Sequence, residues 1–214
     1  MYMYYTKPRN NNNTNNNKNN MDYCAIVAAM RQELQAKTLL KAQLQQAGSL
    51  TEKFILLRRA VNPQSTVPES VIMDDMNIGR PLDETSGDGH KNGINYELKF
   101  SLHTKNGGFN FVQIRPDHTI DYYLVGGYNL FEGEIGKAYI CKVPADVIYR
   151  LIPEYGGYAH GTVSKLGKIT CDNIKGRNCE YALRPNPNAK EGTKPKRLWN
   201  ELLKYEVEYH SDNF

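Results

Sequence analysis

A glutamate and a lysine two positions apart are the residues of this chain whose types and spacing best suit chemistry. Glu97 and Lys99 lie in the stretch from Ile94 to Leu102, where apolar and polar residues alternate strictly. Such alternation predicts a half-buried β-strand, in which side chains two residues apart leave the same face about 6 to 7 Å from each other. Both side chains can therefore reach one small site on the wetter face of the strand, together with Ser101.

A carboxylate and an ammonium at one site suit metal-dependent chemistry at a phosphate. Mg²⁺ usually takes one or two protein carboxylates and completes its shell with water and phosphate oxygens. A lysine beside it can orient a water molecule and offset the negative charge that develops near phosphorus. The alternative interpretation is a pair of surface charges, which is the common reason for Glu-x-Lys on an exposed strand.

A second carboxylate is expected near this pair, and Asp88 is the first candidate. It precedes Glu97 in the segment SGDGHKNG, whose Asp-Gly and Asn-Gly pairs predict a turn that folds Asp88 back beside the strand. Asp83 is the alternative for this place, and Asp74 and Asp75 are more remote alternatives.

The elements that position these residues follow from hydrophobic periodicity and from turn residues. A long helix is predicted from Asp22 to about Leu44, with Gly48 as its stop, and the segment from Asn62 to Asn92 is predicted to contain loops and short strands. The other predictions are a helix over residues 50–60, buried strands over 120–125 and 135–143, a short helix over 145–152, and a last amphipathic helix or strand from Trp199 towards Tyr209.

Composition favours an ordinary globular protein. The chain has 214 residues, 40% of them hydrophobic and 23% charged, which fits one domain with or without a tail and argues against collagen-like, coiled-coil or wholly disordered classes. Nine of the residues 10–20 are asparagine, so residues 1–20 are expected to form a disordered leader before a single domain over 21–214, with Met21 as an alternative start.

We expect a soluble, intracellular (cytoplasmic) protein, because no apolar run is long enough to span a membrane and no secretion signal opens the chain.

Positive charge is concentrated late in the chain. The segment between about 158 and 199 contains nine lysines and arginines but only three acidic residues, a net charge of 9 − 3 = +6, whereas the whole chain carries +4. This basic segment favours a polyanionic partner, and a solvated lysine-rich loop is the alternative. The residues suited by type to contact a nucleic acid are Lys165, Lys168, Asn173, Lys175, Arg177 and Asn178, and His160 is a further candidate for a DNA contact.

The ordered set of these motifs resembles the PD-(D/E)xK nucleases and, within them, the type II restriction endonucleases. The resemblance covers about Asp83 to Tyr128 and is fainter near Tyr158 and Leu198. Its motifs are Asp88, the strand motif Tyr96-Glu97-Leu98-Lys99-Phe100-Ser101, the segment FNFVQIRP over residues 109–116, and Asp121-Tyr122-Tyr123. One departure is Gly87, which stands where the family pattern has proline.

The resemblance implies an α/β (α+β) fold of the restriction-endonuclease type, with a central mixed β-sheet flanked by helices. It implies that Asp88 and Glu97 bind Mg²⁺ and that Lys99 positions the attacking water. Three residues would support this site, Ser101, Gln113 and the extra acidic residue Glu52, and Arg115 would contact a phosphate.

The function implied is Mg²⁺-dependent, sequence-specific cleavage of double-stranded DNA that leaves 5′-phosphate ends, carried out by a homodimer at a symmetric site. A homodimer places one site on each strand of a palindrome. Two alternatives stay open: a structure-specific repair or nicking nuclease of the same fold, and a non-enzymatic DNA-binding module in which Glu97 and Lys99 form only a surface pair.

Overall fold

Helices flank a mixed sheet in this protein, as seen in a computed structural model that describes residues 23–60, 67–102, 107–159 and 166–214. The chain divides into two units, residues 1–41 and 42–214. The described elements are α1 (Tyr23–Gln46), α2 (Leu50–Ala60), α3 (Val67–Met76), β1 (Gly89–Lys91), β2 (Ile94–Ser101), β3 (Phe111–Ile114), β4 (Tyr122–Asn129), β5 (Lys137–Pro144), α4 (Ala145–Tyr155), β6 (Gly157–Tyr158), β7 (Tyr181–Leu183) and α5 (Lys194–Leu203).

The first unit contains most of α1, the long helix that the sequence predicts. The predicted leader, the alternative start at Met21 and the predicted helix cap at Asp22 lie outside the described residues. Apolar side chains of α1 such as Ile26, Met30 and Leu34 recur every four residues and are exposed. No described helix is long and apolar enough to cross a membrane.

A four-stranded sheet in the order β1-β2-β4-β5 forms the centre of the second unit. β2 is antiparallel to β1 and parallel to β4, and β4 is antiparallel to β5, so the sheet is mixed as expected. A second sheet in the order β3-β7-β6 packs its buried residues into the same core as α4 and α5. Neither the mixed sheet nor its helices distinguish the restriction-endonuclease fold from other α/β folds.

The strand with the Glu-x-Lys motif is buried on both faces. The prediction that the face with Glu97 and Lys99 is exposed to water is therefore wrong. Tyr96 and Leu98 are fully buried on one face, but Asn95, Glu97 and Ser101 on the other face are also buried. The register explains this burial, because Glu97 is paired with Tyr123 of β4, which belongs to the core that α4 and α5 cover. The alternation of side-chain types therefore does not mark which face of β2 is exposed to water.

The segment before the first hairpin contains a helix that the sequence analysis did not predict. Residues 67–76 form α3, where loops and short strands were expected. Pro68, Ile72 and Met76 are its buried residues and lie four positions apart, so they share one helix face. The other predicted helices and strands are present. The last predicted element, expected from Trp199 towards Tyr209, is the helix α5, which begins earlier, at Lys194, and already ends at Leu203.

Candidate catalytic site

A tight hairpin brings Asp88 beside the strand that carries Glu97 and Lys99. β1 and β2 are joined by Asn92 and Gly93, whose φ angles of 54° and 82° suit the two-residue turn that the Asn-Gly pair predicts. The Asp88 amide donates to the Tyr96 carbonyl oxygen at 2.8 Å, and the Leu98 amide donates to Asp88 Oδ2 at 2.8 Å. The Asp88 carboxylate is therefore fixed along the edge of β2.

Glycine at position 87 is a requirement of this geometry. Its φ is +80°, and an added Cβ would lie 2.5 Å from the Tyr96 carbonyl oxygen. Proline cannot adopt a positive φ. The departure from the family pattern at Gly87 thus has a local structural cause.

Lys99 contacts both carboxylates. Its Nζ lies 2.6 Å from Glu97 Oε1 and 3.9 Å from Asp88 Oδ2. The Glu97 side chain is 8% exposed and that of Lys99 13%, whereas Asp88 is 41% exposed and lies at the open side of the group. The three residues that the sequence analysis placed together are thus close to one another.

Burial raises the pKa of Glu97 above its ordinary value, and the positive charge of Lys99 opposes that shift. His118 acts on the pKa of Glu97 in the same direction as Lys99, with a smaller effect. His118 Nδ1 is buried and has no hydrogen-bond partner within the part of the chain that the structure describes. His118 therefore lies within electrostatic range of Glu97, and no spacing of ligand residues in the sequence indicated it.

Glu69, near the start of α3, is a third carboxylate of this group that the sequence analysis missed. Burial raises the pKa of Glu69 to about 7, and Lys99, Asp88 and Glu97 all influence it. The Phe100 backbone amide also binds its carboxylate. Because amides two residues apart point to the same strand edge, Leu98 and Phe100 direct Asp88 and Glu69 to one side of β2. The Pro68-Glu69 pair at a helix start was the one available signal.

Glu52, predicted as the extra acidic residue, has a different structural role. Its Oε2 accepts a hydrogen bond from the Gly48 amide at 2.7 Å, and its own amide donates to Ser49 Oγ at 3.2 Å. These reciprocal bonds form a capping box at the start of α2. The further carboxylate found with Asp88, Glu97 and Lys99 is Glu69.

The two other predicted supporting residues, Ser101 and Gln113, differ in their exposure. Ser101 is buried at the end of β2, and its Oγ accepts a hydrogen bond from the Asn110 amide at 3.3 Å. Gln113 is exposed on β3, at an irregularity where its φ is +57°. The alternative acids serve local structure, since Asp83 accepts bonds from Thr85 and Asp75 binds Lys53.

Residues predicted to contact DNA fall into three groups. Arg115 is half-exposed and paired with Glu180, whose Oε1 accepts a hydrogen bond from Arg115 Nε at 2.9 Å. Lys175 Nζ lies 5.0 Å from the centre of the Tyr149 ring, Arg177 donates to the Tyr158 hydroxyl at 3.0 Å, and Lys168 is exposed. His160 and Lys165 lie outside the described residues.

The donor set around Lys99 fits a hard divalent cation by its charge. In the described ranges, no group of three or more histidine, cysteine, aspartate or glutamate side chains is arranged to hold a metal ion. Glu69, Asp88 and Glu97 nevertheless carry three negative charges when ionised against the single positive charge of Lys99, a net charge of −3 + 1 = −2. Two carboxylates with water and phosphate oxygens suffice for Mg²⁺.

Comparison with known proteins found no family model, no curated protein and no solved structure that matches this chain.

Proposed function

We propose that this protein is a Mg²⁺-dependent endonuclease that cleaves double-stranded DNA at specific sequences, in the manner of the PD-(D/E)xK type II restriction enzymes. The observation that carries the proposal is the position of Lys99 Nζ, 2.6 Å from Glu97 Oε1 and 3.9 Å from Asp88 Oδ2. Surface pairs are usually well solvated. Glu97 and Lys99 are instead mostly buried, so an exposed charge pair does not explain them.

Asp88 and Glu97 would hold the Mg²⁺ ion, and Glu69 would add negative charge beside it. When bound, the ion would lower the pKa of a coordinated water and offset the charge on the phosphate. Leu98 fixes Asp88 through its amide, so the first carboxylate keeps its place without relying on the metal. The burial of Glu97 keeps bulk water away from the site, which strengthens the charge interactions within it.

Lys99 has two roles in this proposal. Its ammonium balances the buried Glu97 carboxylate and points to the space between Glu97 and Asp88, where it can hold the attacking water. In the hydrolysis the water oxygen forms a bond to phosphorus, the bond from phosphorus to the 3′ oxygen breaks, and the 3′ oxygen takes up a proton. The products carry a 5′ phosphate and a 3′ hydroxyl, and Lys99 also offsets the charge that builds up on phosphate.

The basic segment after residue 158 supplies the affinity for DNA in this account. Lys168 and Lys175 are exposed and available for phosphate contacts, which give affinity but no sequence information. A homodimer would place one site on each strand of a symmetric sequence. The mass of the protein on and off duplex DNA, measured by light scattering, tests this: two chains on one duplex support the homodimer, and one chain indicates a nicking or repair nuclease.

The direct test of function is incubation of the purified protein with mixed-sequence plasmid DNA and Mg²⁺. We expect discrete fragments with 5′-phosphate ends, and no cleavage in EDTA. Lys204→Ala is a suitable control variant, because Lys204 forms an exposed surface pair with Glu201 and should cut normally. Random degradation would argue against sequence specificity, and DNA binding without cleavage would indicate a non-enzymatic binding module.

A further inference from the structure

The connection between β3 and β4 is hydrogen-bonded both to the strand that carries Glu97 and to part of the basic segment. Asp117 Oδ1 accepts a hydrogen bond from the Gly176 amide at 2.6 Å, and its Oδ2 accepts one from the Asn178 amide at 3.3 Å. Two residues further on, the Thr119 carbonyl oxygen accepts a hydrogen bond from Asn95 Nδ2 of β2 at 2.9 Å. The connection therefore joins the catalytic strand to the basic loop, by which we mean residues 166–178.

The basic loop is shaped to receive this carboxylate. Gly176 and Asn178 have φ angles of +72° and +48°, in the left-handed region, so their amides can converge on one anion. Ile174, between the loop's basic residues, is buried, and its carbonyl oxygen accepts a hydrogen bond from the Tyr181 hydroxyl at 3.2 Å. The loop is thus fixed both to the core and to Asp117.

This attachment places a lysine of the loop near the site. Lys175 Nζ lies 5.0 Å from the centre of the Tyr149 ring, and Tyr149 packs edge-on against Tyr123 with 6.1 Å between ring centres. Tyr123 is in turn the partner of Glu97 in the register of β2 and β4. The path from Lys175 to Glu97 therefore runs through two aromatic side chains on one face of the sheet.

We propose that Asp117 is a positioning residue that holds the basic loop beside the carboxylate site, so that Lys175 binds a DNA phosphate adjacent to the one cleaved. This inference rests on the proposed function. An exposed carboxylate on a DNA-binding surface repels phosphate, but here two backbone amides bind its oxygens. The acid then serves to fix the basic loop.

The test measures duplex DNA affinity in EDTA, where no cleavage is expected, for the wild type and for Asp117→Ala. Charge-assisted hydrogen bonds are strong, so we expect binding about tenfold weaker in the variant. Asp172→Ala is the matched control, because it also removes one aspartate charge, at an exposed position in the basic loop itself, and should bind DNA at least as well as the wild type. Hydrogen exchange at the Gly176 and Asn178 amides should become faster in Asp117→Ala but not in Asp172→Ala.

A double-mutant cycle tests the role of Lys175. If Asp117 acts by positioning Lys175, Asp117→Ala should weaken binding much less when Lys175→Ala is already present. Asp117→Asn keeps one acceptor oxygen and is the more conservative change if the alanine variant does not fold. We expect it to restore part of both the DNA affinity and the protection of the two amides.

The outcomes separate this inference from the proposed function. Wild-type affinity in a folded Asp117→Ala variant overturns the inference while the nuclease proposal stands. An equal loss in the presence and absence of Lys175 also overturns it, because Lys175 is then not the residue positioned. A wild-type protein without affinity for duplex DNA removes the proposed function, and the inference with it.

Discussion

The backbone amide of Leu98 donates a hydrogen bond to Asp88 Oδ2, so the strand that carries Glu97 and Lys99 also fixes the second carboxylate. This bond is available because β1 pairs with β2 only as far as Tyr96. Beyond Tyr96, the edge amides of β2 bind the carboxylates of Asp88 and Glu69. The geometry of the site thus depends on where the short hairpin strand ends.

Replacing Lys99 should abolish most of the cleavage activity. The Lys99→Ala variant loses the ammonium that contacts Glu97 and Asp88, and we expect cleavage to fall by about 10² to 10³, the usual effect of removing one group that stabilises developing charge. Affinity for duplex DNA should change little, since that depends on the basic segment. The measurement is the rate of plasmid cleavage beside Lys204→Ala. Unchanged cleavage would remove Lys99 from the mechanism.

The stability of the metal-free protein should fall as the pH rises through neutrality. Burial raises the pKa of Glu69 from 4.5 to about 7, so the folded state binds a proton more tightly than the unfolded state. This contribution to stability is complete below pH 4.5 and is lost as the pH rises through about 7. When thermal unfolding is followed between pH 5 and pH 8 in EDTA, the melting temperature should fall less with rising pH for Glu69→Gln than for the wild type. Parallel curves for both proteins would contradict this role of Glu69.

Alanine at position 87 should disrupt the hairpin. The Gly87→Ala variant places a Cβ against the Tyr96 carbonyl oxygen at a residue with φ +80°, and we expect a loss of about 1 to 3 kcal/mol in the free energy of unfolding. Gly133→Ala is the control, because Gly133 also has a positive φ but an added Cβ would meet no atom within 4 Å. Chemical denaturation measures both variants. Equal losses would mean that backbone strain, and not the contact with Tyr96, explains the requirement for glycine.

The hairpin and its acid could be predicted because the signals are local. The alternation from Ile94 to Leu102 sets the face that Glu97 and Lys99 share, and the Asn92-Gly93 pair sets the turn that returns Asp88. The packing of these charges together follows from those two features alone.

Other parts of the site depend on contacts between distant segments. Glu69 was missed because α3 is only 10 residues long and its buried positions are spread through a polar, proline-containing segment. The polar face of β2 is buried because β2 lies beside β4, whose Tyr123 belongs to the core around α4, and no pattern within β2 indicates that. Likewise, the partner of Arg115 is Glu180, which lies 65 residues further along the chain.

The dependence of plasmid cleavage on Mg²⁺ concentration, compared between the wild type and Glu97→Gln, measures whether the Glu97 carboxylate holds a catalytic metal ion. The substitution removes the charge of the most buried carboxylate in the site while keeping its shape. We predict that the wild type cleaves at millimolar Mg²⁺ and that Glu97→Gln loses at least about 10² in rate and requires more Mg²⁺. A Glu97→Gln protein with the rate and Mg²⁺ dependence of the wild type would show that Glu97 is not a metal ligand of a nuclease site.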